Sequence, residues 1–227
     1  MNKPVFFRRP FKYTYFNATL ILVVINVVVF FLTYFNRNLQ YSLSLNVYYV
    51  LNYKMFWQFF TYMFVHGGFT HLFFNMFGLL IFGIAVERVI GSKEFLLFYL
   101  LCGVISGAFS FVVYLLTGSA RVVLMGASGA IYSVLFAYAV CYPNSRVFIW
   151  GILPIRSPVL VMIYTIIEIV EQLFTYSNVA HLTHLFGFVA AFLYFIIRMG
   201  INPIKVWKNV LHKDNPNREQ SNDNEDL

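Results

Sequence analysis

The chain has 227 residues, of which 60% are hydrophobic, only 11% are charged and 27 are phenylalanine, with a formal net charge of +7. A soluble fold of this size cannot hide that much apolar surface, so lipid is the solvent for most of it and the chain reads as a polytopic membrane protein. The positive charge then argues for no nucleic-acid partner, because basic residues in a membrane protein chiefly mark the cytoplasmic side. The two cysteines, Cys102 and Cys141, both lie in apolar runs, which speaks against a disulfide framework or a thiolate metal site.

A basic tail with Lys3, Arg8, Arg9 and Lys12 precedes an apolar run from Ala18 to Phe35. That run is longer than a signal-peptide core and lacks a small-residue cleavage site, so it reads as a retained first span. Residues 36–68 form a connector crowded with aromatics, including Tyr48, Trp57 and Tyr62, which belong at headgroup level or packed on the protein. The second span runs from Phe69 to Val86 and ends at Glu87-Arg88. The third runs from Phe95 to Leu116 and contains Gly103-x-x-x-Gly107, a spacing that lets helices approach closely. A loop from Thr117 to Ala127 enters a short fourth span, Ser128 to Tyr142, which Pro143-Asn144 stops.

The next connector, Ser145 to Arg156, is apolar from Val147 to Ile155 but broken by Gly151 and Pro154. Ser157-Pro158 offers an N-cap and a first-turn proline for a fifth span ending near Phe174. Asn178 caps a sixth, Val179 to Ile197, and the polar chain from Arg198 onward reads as a disordered tail. The expected architecture is an all-α bundle of six transmembrane helices over residues 18–197, flanked by polar tails at 1–17 and 198–227. Six spans put both termini on one side. Of the sixteen Lys+Arg only Arg37, Lys54 and Arg121 fall on the other, so both termini are expected in the cytoplasm.

Ser128 then enters from the outer side, within Gly126-Ala127-Ser128-Gly129-Ala130-Ile131-Tyr132. About 15 residues of helix reach ~22 Å against a hydrocarbon core of ~30 Å, so the serine lies roughly 8 Å below the outer boundary. Irregular backbone at that depth must be buried in protein or line a watery cavity, and a water-filled pit with Ser128 at its floor is expected. The unpaired first amides of the helix suit a developing oxyanion, and Gly126 and Gly129 let substrate backbone come close.

Ionisable groups in spans are costly, and here they are His71, Glu168, Glu171, His181 and His184, with His66 just before the second span. His184, Gly187 and Ala191 share one helix stripe, and Gly129 and Ser133 form a matching stripe on the fourth span. Small-on-small packing would face Ser128 with His184, and Tyr132, one turn along, would pack on the imidazole. A serine beside a histidine is the minimum for nucleophilic catalysis. No spacing places Glu168 or Glu171 behind His184, and Asp occurs only at 214, 223 and 226, so a dyad is favoured. His71 and Asn75 lie one turn apart as oxyanion donors or as an interhelical polar clamp, and spacing does not decide between them. His181 reads as a wet residue near the cavity mouth. The four histidines at 66, 71, 181 and 184 could ligate a metal, but no His-Glu-x-x-His helix is present; neither a metal nor any other cofactor is expected.

These residues together resemble the rhomboid family of intramembrane serine proteases over about residues 18–197. Gly126-Ala-Ser128-Gly129 with Tyr132 resembles the nucleophile motif, and His184-x-x-Gly187-x-x-x-Ala191 the catalytic-histidine helix, with alanine where glycine is usual. His71-Leu-Phe-Phe-Asn75 resembles the oxyanion motif, and Glu87-Arg88 with Gly91-Ser92 and Phe95 the turn into the third helix. Trp57-Gln58 stands where the family often has Trp-Arg. The resemblance implies hydrolysis of a peptide bond in or near a transmembrane segment of another membrane protein, through an acyl-enzyme. It also implies sideways substrate entry near the second and fifth spans and, in a bacterium, residence in the plasma membrane. An inactive client-binding relative is the first alternative, against which the retention of Ser128 and His184 counts. A small transporter is the second, for which inverted repeats are lacking.

Overall fold

The computed structural model describes residues 10–149, 151–174 and 180–213. Lys3, Arg8 and Arg9, the expected cap Asn178 and the tail from Asp214 lie outside them. The described residues are mostly helical, as an integral multi-pass membrane protein requires. Among the described residues, four helices are long and apolar enough to cross a bilayer, spanning Phe69–Ile90, Ser92–Leu116, Ser157–Phe174 and His181–Met199. Two shorter apolar helices, α1 (Ala18–Tyr34) and α8 (Ser128–Cys141), lie among them. Apolar side chains face outward, such as Val24 and Leu32 of α1 and Ile166 and Leu173 of α9 (Ser157–Phe174). Small polar ones are turned inward and hydrogen-bonded. Ser110 contacts Thr183 at 2.8 Å, and the Ser106 hydroxyl donates to the Cys102 carbonyl at 2.7 Å. This inside-out distribution suits helices solvated by lipid and held by packing and polar contacts.

The connector 36–68 is built from α2 (Arg37–Leu43), α3 (Val47–Tyr53), α4 (Gln58–Thr61) and a 3₁₀ turn, Tyr62–Phe64. Asn36 and Asn46 cap α2 and α3, accepting from the amides of Leu39 (3.0 Å) and Tyr49 (3.1 Å). Gln58, where the family often has arginine, is fully buried. Its side chain accepts from the Asn46 amide at 3.1 Å and donates to the carbonyls of Tyr41 and Ser42 at 3.2 Å each, so a neutral amide braces the connector. Tyr62 is buried rather than set at a headgroup boundary, and its hydroxyl donates to the Gly103 carbonyl at 2.6 Å.

The second span continues past Glu87. α5 (Phe69–Gly78) passes through a π turn at Leu79–Gly83 into α6 (Ile84–Ile90), which Gly91 ends at φ 81°. Glu87 is a buried acceptor inside the fold. It takes hydrogen bonds from the amides of Ala18 (2.6 Å) and Thr19 (2.9 Å) and from the Ser92 hydroxyl. An anion at the first turn of α1 thereby replaces the side-chain cap that Asn17 does not provide.

α7 (Ser92–Leu116), α8, α9 and α10 (Ala180–Tyr194) complete the bundle, and α8 sits at its centre, touching α5, α6, α7, α9 and α10. Within the stretch expected only as a broken apolar connector, β1 (Arg146–Ile149) and β2 (Leu153–Arg156) pair antiparallel, an exception to the all-α expectation. Gly151 lies between them at φ 71°. Ser157 does not cap α9; its hydroxyl donates to the Tyr142 carbonyl at 2.6 Å and ties the start of α9 to the end of α8.

The expectation of disorder from Arg198 is overturned for the residues up to 213. After a π turn at Phe195–Met199 the chain forms α11 (Pro203–Lys213). Trp207 of α11 donates its indole N–H to the Ala139 carbonyl at 3.0 Å and packs on Phe136, apolar contact that a wholly disordered tail would forgo.

Candidate active site

The loop before α8 is stitched to the connector along its length. Tyr48 donates to the Ala120 carbonyl, Asn46 Nδ2 to the Val122 carbonyl, and Leu45 and Leu124 exchange both backbone bonds at 2.9 and 2.8 Å. Gly126 then donates to the Tyr62 carbonyl at 3.0 Å with φ 122°, a conformation side chains rarely adopt. A Cβ at this position would lie 2.7 Å from Nε2 of His71 and 3.7 Å from Nδ2 of Asn75. The absence of a side chain therefore brings the loop against both residues. Ser128, half-buried, opens α8 immediately beyond this contact.

On the far side, α10 packs backbone to backbone on α8. A Cβ at Gly187 would overlap the Gly129 carbonyl oxygen, and Ser133 donates to the Gly187 carbonyl at 2.7 Å. This contact fixes the height of His184, one turn earlier on α10. The His184 ring stacks flat on Tyr132, with centroids 4.0 Å apart and planes 10° from parallel. Tyr132 is one turn from Ser128 on α8, so serine and imidazole share the same side of the α8–α10 seam. His184 Nε2 is buried without a hydrogen-bond partner, and so is Asn75 Nδ2. Such orphaned atoms are rare in a settled interior.

Sequence spacing did not place Glu168 of α9, yet its carboxylate lies behind His184. Glu168 Oε1 is 2.9 Å from His184 Nδ1 and accepts from the Tyr132 hydroxyl, while Oε2 is 2.7 Å from His181 Nδ1. Glu171 Oε2 also lies 3.1 Å from His181 Nδ1. His181, read from sequence as a wet residue, is a hydrogen-bond partner of Glu168 with only 15% of its side chain exposed. A signal for this existed. α9 ends at Phe174 and α10 begins at Ala180, so residues near the end of the one helix can meet residues near the start of the other.

The four histidines fall into two pairs. His66 and His71 meet edge to face at 5.1 Å, and both nitrogens of His66 are buried without partners. Burial, and then the neighbouring His71, push His66 down to about 3, so it is neutral. The ligand atoms of Glu168, His181 and His184 lie within 4.8 Å of one another, close enough for one ion, but they already serve one another as hydrogen-bond partners.

The Rhomboid domain family model matches residues 53–200. The chain is 33% identical over 140 residues to the putative rhomboid protease YdcA of Bacillus subtilis (strain 168), which is 60% of this chain and 64% of that protein. It is 34% identical over 137 residues to the rhomboid protease GluP of the same organism, again 60% of this chain but 25% of the relative. The matched stretch thus spans less than two thirds of either relative.

Proposed function

The chain belongs to the rhomboid family, and from that premise we propose that it is an intramembrane serine endopeptidase acting on the transmembrane segments of other membrane proteins. The observation that carries this reading is the orphaned His184 Nε2, held beside the head of α8 by stacking on Tyr132. Ser128 Oγ attacks the scissile carbonyl while His184 Nε2 takes its proton. The amide of Ser128, with His71 and Asn75, holds the resulting oxyanion. His184 then returns the proton to the leaving amine as the C–N bond breaks, leaving an acyl-enzyme. A water, deprotonated by the same imidazole, hydrolyses that ester. Gly126, Gly129 and Gly187 serve by leaving room: the first for His71, the other two for close approach of α8 and α10. No cofactor is required by this chemistry.

In this reading all six apolar helices cross the bilayer and residues 18–197 form the catalytic domain, between tails at 1–17 and 198–227. Arg88 and Lys93 lie at the α6–α7 turn, at the end of the bundle where Arg198 pairs with Glu94, which favours a cytoplasmic face there and cytoplasmic termini. Ser128 then opens to the other side through a water-filled cavity, and in a bacterium the membrane is the plasma membrane. The test is cleavage of a single-pass membrane substrate by the full chain in liposomes. Ser128→Ala and His184→Ala are each expected to abolish it, by at least about 10³-fold, and to end labelling by a serine-reactive fluorophosphonate in the case of Ser128→Ala. Undiminished cleavage by either variant rejects the reading.

A further inference from the structure

We propose that Glu168 is a positioning residue for His184, a carboxylate hydrogen-bonded behind the imidazole that serves Ser128; this rests on the protease reading above. Glu168 is 3% exposed in a helix otherwise rich in isoleucine and valine, a place where a carboxylate is costly unless it is used. Both of its oxygens are occupied, and the partners are two imidazoles and a phenol.

The geometry settles what stacking cannot. The flat contact with Tyr132 fixes the plane of the His184 ring but is indifferent to a 180° flip within that plane and to which nitrogen bears the proton. A carboxylate 2.9 Å from Nδ1 removes both freedoms, because only an N–H can be donated to it. With the proton on Nδ1, Nε2 carries a bare lone pair, and Nε2 is the buried, unpartnered atom. When the serine proton arrives there, the imidazolium that forms faces an anion rather than apolar side chains, the function a carboxylate performs in a serine-histidine-acid triad. The Tyr132 hydroxyl and His181 hold the carboxylate itself in place, one on each oxygen.

The experiment measures kcat and KM for the full chain in liposomes with a single-pass substrate. Glu168→Gln is expected to lower kcat about 10- to 100-fold, the size of effect seen when the carboxylate behind a metal-bound histidine is removed, with KM within twofold. Glu168→Asp is expected to restore part of that loss. In the His184→Ala background, Glu168→Gln is expected to lower residual fluorophosphonate labelling no further, since the carboxylate acts only through the imidazole. An unchanged kcat, a loss confined to KM, or a further loss in the His184→Ala background overturns the proposal. Should Glu168→Gln fail to fold, nitrogen-15 histidine spectra of the unaltered protein decide: a proton on Nδ1 of His184, assigned by its loss in His184→Ala, is expected, and its absence at neutral pH overturns the proposal. Ser128→Ala that still cleaves sinks the protease reading itself. Ser128→Ala without activity beside a fully active Glu168→Gln sinks only the role of Glu168.

Discussion

Two buried carboxylates stand at opposite ends of α10, and their partners differ in one respect. Glu94 of α7 accepts from the Tyr194 hydroxyl at 2.5 Å, from Arg198 at 2.9 and 3.0 Å, and from the Phe11 amide at 3.0 Å. Glu168 accepts from the Tyr132 hydroxyl and lies against His181 and His184. Each thus has a tyrosine partner, Tyr194 of α10 or Tyr132 of α8, and a nitrogen base that comes from α10 or the turn that follows it. Arg198 cannot give up its proton, so the Glu94 cluster is a permanent ion pair that ties the start of α7 to the end of α10. An imidazole can take or release one, so the Glu168 cluster has the composition of a proton-handling site. Burial and a satisfied carboxylate are common to both; the partner's chemistry separates a fastening from a working group.

That contrast can be broken by experiment. The largest effect outside the reacting residues themselves is expected from Gly187→Ala, which forces α10 away from the Gly129 carbonyl and displaces His184 without altering either carboxylate itself. A misplacement of about 1 Å costs on the order of 10² in rate, so turnover should fall by that much in the liposome assay, and near-normal turnover would mean that the α8–α10 contact does not set the position of His184. Glu94→Gln should act on stability instead. Removing one partner of a buried pair costs on the order of 3 kcal/mol, read as a lowered midpoint of thermal unfolding in detergent, with turnover per folded molecule within twofold of normal. A drop in turnover matching that of Glu168→Gln would erase the distinction between the two carboxylates. The smallest effect is expected from chelation: if the Glu168 cluster handles protons and holds no ion, excess EDTA leaves turnover unchanged, whereas loss restored by added zinc would reassign Glu168, His181 and His184 as ligands.

The small residues offer a second lesson. Gly103-x-x-x-Gly107 has the spacing of a helix–helix contact, yet Cβ atoms there would lie 2.7 Å from Met63 and 2.6 Å from Tyr62, so the notch mainly receives side chains of the connector. Gly129 and Gly187, followed four residues later by Ser133 and Ala191 rather than by a second glycine, form the contact in which backbones touch. Spacing reports that a surface is recessed, but not what fills the recess.

From the sequence alone came the membrane setting, the bounds of six apolar helices to within a few residues, the shortness of α8 and the pairing of its small face with that of α10. These are properties of local composition and helical period, which depend on near neighbours in the chain. The tertiary structure decided what separated segments do together. It paired β1 with β2, laid α11 under α8 through Trp207, buried Glu87 at the head of α1 and set Glu168 against His184. A carboxylate in an apolar helix announces that it needs a partner. Which partner it meets depends on the rotation and depth of two helices against each other, and those are set by packing over the whole bundle.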